Sequence, residues 1–155
     1  MISTMRYYFG YGSNMSIKQM TERCPNSHYV DKAELKDWQF IYNTDHVATI
    51  TENQTSLVWG AVFEISENDE QALDHFEGVA QGKYKKVELE IAPFGHVLTY
   101  IATNDTVGQP FDNYHRHIIV SAKNRNLPSD YIEQEFLSKE TSGKVSKRAY
   151  VNGNE

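Results

Sequence analysis

The chain has 155 residues, with 15 basic against 21 acidic side chains and a formal net charge of −6. That length suits one compact domain burying about 68–70% of its unfolded surface, and two domains would be cramped. The acidic balance disfavours nucleic acid or an anionic membrane as the main partner, 39% apolar residues exclude disorder by composition, and no apolar run approaches a membrane span.

In chain order, residues 7–11 are aromatic and read as a buried strand. The strand runs into Gly10-Tyr11-Gly12-Ser13-Asn14, a turn rich in small residues. Glycines allow close backbone approach and positive φ. The amides of such a turn, with the first free N–H groups of the next helix, form an anion pocket. Ser16 is an N-cap with Gln19 three residues on, the pattern of a capping box. Ile17 and Met20 give that helix its apolar side, and Pro25 stops it near Cys24. Residues 33–43 read as a strand carrying Leu35, Trp38, Phe40 and Tyr42, and residues 46–51 as a short one.

Residues 57–65 alternate at period two, with Trp59, Ala61, Phe63 and Ile65 on one face. Val58 and Val62 on the other face predict that both faces are covered. Ser66 caps the next helix with Asp69 at its third position, Leu73 and Phe76 form its apolar face, and Gly78 is a natural C′ residue. Residues 84–91 alternate with Val87, Leu89 and Ile91 inward, and residues 96–103 form a further strand. Pro110 opens a helical region in which Tyr114, Ile118 and Ala122 recur at helical spacing. Leu127-Pro128-Ser129-Asp130 interrupts it, and Ile132 and Phe136 mark a short last helix. The stretch from about 141 is polar and reads as a loosely held tail of a single 1–155 domain. About six short strands with three or four short helices, not in strict βαβ order, define an α+β chain. Small mixed sheets of this kind curl or close to protect their edges.

Several residues could carry chemistry. The glycine turn has the first two glycines of G-x-G-x-x-G, but Met15 at the third place weakens a dinucleotide site, and no Gly-Lys-Ser/Thr follows to make a P-loop. The turn is equally a tight connection with no ligand. Glu77 lies in the last turn of its helix, where the dipole disfavours an ionised carboxylate, and Phe76 and Val79 add apolar neighbours. Both effects raise a carboxyl pKa toward the range useful for moving protons near pH 7. By position alone, Glu77 is also an ordinary surface glutamate. His115 and His117, two apart on a helix, face different sides and do not share a metal ion. Cys24 lacks a local nucleophile signature and reads as a small buried thiol. A lone cysteine and an N-terminus without a secretory signature point to a reducing, cytoplasmic compartment. Lys83, Lys85 and Lys86 around Tyr84 read as a solvated strand edge.

Taken together, Tyr8-Phe9-Gly10-Tyr11-Gly12-Ser13-Asn14-Met15, Arg23-Cys24-Pro25, Trp59-Gly60-Ala61-Val62-Phe63, Leu73-Asp74-His75-Phe76-Glu77-Gly78-Val79, Gly82-Lys83-Tyr84, Leu127-Pro128-Ser129-Asp130-Tyr131 and Thr141-Ser142-Gly143-Lys144-Val145 resemble, in order and spacing, the γ-glutamyl cyclotransferase family, which includes the AIG2-like proteins. The resemblance covers nearly the whole chain. It implies a small mixed β-barrel flanked by short helices. It implies intramolecular aminolysis, in which the α-amine of a γ-glutamyl amide attacks its own γ-carbonyl and releases 5-oxoproline. By the same resemblance Glu77 is the acid/base, Tyr8, Phe9, Gly10, Tyr11, Gly12, Ser13, Asn14 and Met15 bind the γ-glutamyl group, and Tyr114 and Tyr84 contact substrate. No metal or organic cofactor is implied, and a homodimer is consistent with the family. The C-terminal motifs favour γ-glutamyl amino acids as substrates. Other readings are a γ-glutamylamine cyclotransferase, a biosynthetic enzyme removing a γ-glutamyl cap, or a non-catalytic module that binds a small carboxylate.

Overall fold

The computed structural model describes residues 4–148 and 150. Its elements are β1 (Met5–Gly10), a 3-10 turn (Ser13–Met15), α1 (Ile17–Arg23), β2 (His28–Tyr42), β3 (Ala48–Ser66), α2 (Glu67–Phe76), a second 3-10 turn (Val79–Gln81), β4 (Tyr84–Ile91), β5 (Gly95–Ala102), α3 (Asp112–Asn124) and α4 (Ser129–Ile132), the last running into a π-helical turn at Glu133–Leu137. The strands form one mixed sheet in the order β2-β3-β1-β5-β4. All neighbours are antiparallel except β1 and β5.

The α+β class agrees with the sequence reading, but the strand count is five because the two stretches expected at 46–51 and 57–65 are one strand, β3. Its polar middle hides the continuity. Between the pairs Lys36↔Leu57 and Trp38↔Glu52, β2 uses one residue, Asp37, while β3 loops out residues 53–56. Asp37 takes φ 71° there. The extra residue shifts the alternation of β2 by one. Ala33 and Leu35 before it, and Phe40 and Tyr42 after it, therefore all reach the core.

The mixed β-barrel of the resemblance is present in a loose form. The ladder is open, with β2 and β4 as its edges. The sheet does curl, and side chains bridge its two arms. The Ala102 N–H donates to Thr49 Oγ1 at 2.9 Å, and Tyr84 Oη donates to the Ala48 carbonyl at 2.7 Å. The cavity described below lies where these arms meet. α3 packs Ile118 and Ala122, both fully buried, into the core on one side of the sheet.

Both predicted helix starts are capped, in different ways. At α2, Ser66 and Asp69 form the full reciprocal box. At α1, Ser16 Oγ accepts the Gln19 N–H at 3.0 Å, but the Gln19 side chain turns toward the glycine turn instead of closing the box. Residues 142–146, read as part of a polar tail, are hydrogen-bonded to the start of α3. The Asp112 N–H donates to the Lys144 carbonyl at 2.8 Å, and Asn113 and Ser146 bond to each other through two contacts of 3.2 and 2.8 Å.

Gly60 joins the sheet to the turn after β1. A Cβ built there would lie 2.6 Å from the Gly10 carbonyl oxygen and 2.8 Å from the Phe9 ring. Real side chains do not tolerate such contacts, so the backbone must move. Gly60→Ala is therefore expected to lower stability by about 1–3 kcal/mol in urea denaturation, as overpacking does. An unchanged unfolding midpoint would show that β1 and β3 are not held as closely as described.

Candidate active site

The turn after β1 organises the site. Neither Gly10 nor Gly12 uses positive φ, contrary to one of the two reasons the sequence suggested for them. Their role is close packing: a Cβ on Gly10 would lie 3.1 Å from the Asn14 carbonyl oxygen. The 3-10 turn bonds the Met15 and Ser16 N–H groups back to the carbonyls of Gly12 and Ser13. The first N–H groups of such a turn have no intrahelical acceptor, and Gly12, Ser13 and Asn14 all line a cavity of about 520 Å³.

Asn14 is buried and holds several elements at once. Its Oδ1 accepts from Gln19 Nε2 at 2.9 Å and from the Arg23 guanidinium at 3.1 Å. These two donors fix the amide so that Nδ2 faces Tyr8 Oη, at 3.0 Å, and Glu77 Oε1, at 3.4 Å. Gln19 also donates to Ser13 Oγ at 3.0 Å, and His117 Nε2 is 3.1 Å from the Ser13 carbonyl.

Glu77 is the C-cap of α2, with its N–H bonded to the Leu73 carbonyl at 2.8 Å. Gly78 takes φ 64°, the left-handed conformation that ends the helix and turns the chain away. The half-buried Glu77 side chain faces the cavity. Burial raises its pKa from 4.5 to about 7, and the charges of Arg23 and Arg148 pull in the opposite direction. Arg23 stacks on the Phe76 ring at 4.6 Å, and Arg148 lies over the same ring at 6.0 Å.

The wall opposite is aromatic. The Ala48 N–H donates to Tyr114 Oη at 3.1 Å while Tyr84 Oη donates to the Ala48 carbonyl, so one residue orients both tyrosines. Burial raises the pKa values of Tyr8, Tyr84 and Tyr114, which keeps the phenols protonated. Tyr100 donates to Asp74 at 2.6 Å and packs edge-on against Tyr8.

Of the residues singled out in the sequence, Tyr8, Tyr11, Gly12, Ser13, Asn14, Glu77, Tyr84 and Tyr114 line this cavity together. Phe9, Gly10 and Met15 do not. Strand alternation sends Phe9 to the face opposite Tyr8, and Phe9 and Met15 are fully buried in the core. Lys86 is ion-paired with Glu70 and Asp74 at the β4 edge, whereas Lys83 lines the cavity. His115 is buried against Tyr42, with Nδ1 2.8 Å from Oη. Cys24 is buried, and burial pushes its thiol up to about 12. The sequence reading passed over Arg23, Phe76, Lys83, Tyr100, Arg148 and Tyr150 as cavity residues. Arg23, Phe76 and Lys83 stand in the motifs of the resemblance, whereas Tyr100, Arg148 and Tyr150 lie outside them.

An open mixed sheet with a glycine turn, a C-capping glutamate and no metal cluster among the described residues defines a class of small α+β folds with a polar cavity at the curl of the sheet. Residues 57–134 match the model of the AIG2-like family, and the chain belongs to that family. It is 29% identical to the human γ-glutamylcyclotransferase, over 90% of this chain and 83% of that protein. Its identity to the mouse γ-glutamylcyclotransferase is 28%, over 90% and 82%. Its fold superposes on a solved γ-glutamyl cyclotransferase with a TM-score of 0.83, at 27% identity, covering 93% of this chain and 95% of that one.

The raised pKa of Glu77 makes a stability prediction. An unfolded glutamate gives up its proton as pH rises through its ordinary value, while the folded one keeps it up to about 7. In that window the folded state binds more protons, so stability falls as pH rises. Glu77→Gln removes this dependence. Between pH 5 and pH 8 the variant is expected to gain about 2–3 kcal/mol on wild type in urea unfolding. The lower end applies because the carboxyl opens onto a cavity. Parallel pH profiles for the two proteins would contradict the raised pKa.

Proposed function

We infer that the protein is a cofactor-independent γ-glutamyl cyclotransferase, converting γ-glutamyl amino acids to 5-oxoproline and the free amino acid. The observation that carries this reading is the Glu77 carboxyl, pushed up toward neutral pH by burial, facing the same cavity as a main-chain turn whose Gly12, Ser13 and Asn14 N–H groups have no hydrogen-bond acceptor among the described residues. The names of the human and mouse relatives support the same activity.

The substrate carries its own nucleophile, so no catalytic serine or cysteine is needed. Its α-ammonium must give up two protons to end as the lactam N–H. The amide nitrogen it expels must take up two to leave as an ammonium. Glu77 accepts each proton and returns it to the departing nitrogen. An ordinary glutamate lies roughly 3.5 pKa units below an α-amine, which opposes that transfer by about 5 kcal/mol. Raising the carboxyl to about 7 narrows that gap by about 2.5 units, or ~3.4 kcal/mol. The turn N–H groups of Gly12, Ser13 and Asn14 hold the substrate α-carboxylate. Tyr8 Oη accepts from Asn14, which leaves its own hydrogen to donate to the oxyanion formed at the γ-carbonyl. Tyr84 and Tyr114 close the cavity against the glutamyl chain and keep amine and carbonyl in contact.

A cytoplasmic location and a homodimer belong to the same reading, the first supported by the single cysteine and the second by family resemblance. No helix among the described residues is long and apolar enough to cross a membrane.

The test is release of 5-oxoproline from γ-glutamyl-alanine. Wild type is expected to turn over, with kcat/KM rising through an apparent pKa near 7 as Glu77 ionises. Glu77→Gln is expected to lose at least about 100-fold, the usual scale of a general acid/base. Equal rates would remove Glu77 from the mechanism, and tight binding without turnover would favour a carboxylate-binding module.

A further inference from the structure

We propose that Arg148 recognises the carboxylate of the departing amino acid, and so makes this chain selective for γ-glutamyl amino acids over neutral γ-glutamyl amines. The inference rests on the cyclotransferase reading and concerns the other end of the same substrate.

The cavity is positive in an acidic chain. Arg23, Lys83, Lys147 and Arg148 line it, against Asp45 and Glu77, although the whole sequence carries −6. A γ-glutamyl amino acid has two carboxylates and one ammonium, whereas a γ-glutamyl amine has one of each. The turn after β1 provides for one carboxylate. The surplus cations provide for a second.

Between the two arginines over Phe76, the surroundings single out Arg148. Arg23 is committed, since its guanidinium donates to Asn14 and lies flat on Phe76. Arg148 shares that ring from farther away. No carboxylate among the described residues forms an ion pair with either arginine. The two guanidinium groups are close enough that Arg148 lowers the pKa of Arg23. Two cations over one ring, with Glu77 protonated for part of its cycle, leave a place for an anion.

The position of Arg148 is set by the chain. The segment before it is fastened to α3 by the Asn113–Ser146 pair, by Asp112 N–H to the Lys144 carbonyl and by Gly143 N–H to Asp112 Oδ1 at 2.9 Å. The Arg148 N–H itself donates to Ser146 Oγ at 3.2 Å. An exposed, otherwise flexible side chain is thus delivered to the cavity wall. Arginine suits the task, because its guanidinium meets a carboxylate through two parallel hydrogen bonds.

The experiment compares γ-glutamyl-alanine with γ-glutamyl-alaninamide, which lacks only the terminal carboxylate. Wild type is expected to prefer the acid in kcat/KM. Arg148→Ala is expected to cut that preference about tenfold, and Arg148→Lys to retain part of it. Any effect of Arg148 on the protonation of Glu77 acts on both substrates and cancels in the ratio. A preference unchanged in Arg148→Ala overturns the proposal while the cyclotransferase reading stands. A wild-type protein that neither turns over nor binds either compound, by calorimetry, overturns both.

Discussion

The site depends on the orientation of one buried amide. If Asn14 were reversed, its oxygen would face the carboxyl of Glu77 and its nitrogen would face the donors of Gln19 and Arg23. The contacts to Gln19 and Arg23 would then set donor against donor. Gln19 and Arg23 both donate to Oδ1, so only one orientation satisfies the network. A buried polar group left unsatisfied costs about 1–3 kcal/mol. The glycine turn, α1, β1 and the end of α2 are tied together through this residue, and a change in any of them reaches the other three.

The tie explains why the helix signals before and after it matter for chemistry. The end of α1 carries Arg23, and its first turn carries Gln19, so the length and cap of α1 set the distance between the two donors. The capping box at Ser66 and the left-handed Gly78 fix both ends of α2, and with them the place of Glu77. Helix boundaries are usually details of stability. In this fold they set where the Glu77 carboxyl sits in the cavity.

Much of this was legible in the sequence because it is local. The turn, the cap at Ser66 and the C′ glycine follow from residues within a few positions of one another. What failed to show depends on pairing between distant segments. The polar run at residues 53–56 looks like a loop and is one, but β3 continues through it because β2 answers with a single residue, Asp37. The barrel expected from family resemblance is a loose one, an open ladder bridged by side chains, and no sequence period tells an open sheet from a closed one. Phe9 and Met15 belong to the same motif as Tyr8 and Asn14 yet point into the core. A contiguous motif alternates faces, so it cannot be read as contiguous contact. Lys83, read as part of a solvated strand edge, lines the cavity, and Arg148 reaches it from a C-terminal segment beyond the quoted motifs.

The pKa of Glu77 shows why those distant cations matter. Burial alone would drive the carboxyl further up, toward a group that stays protonated and cannot act as a base at neutral pH. Arg23 and Arg148 oppose burial. The balance leaves the carboxyl near neutrality, the range in which a carboxyl can both accept and return a proton at working pH. Neither influence is local to Glu77: the apolar wall comes from the curl of the sheet, and the cations come from α1 and the C-terminal segment. A glutamate at a helix end is common. A glutamate at a helix end, half-buried under a curled sheet and held back by two arginines over one phenylalanine, suits the proton-carrying role proposed for Glu77, and that fitness comes from tertiary structure.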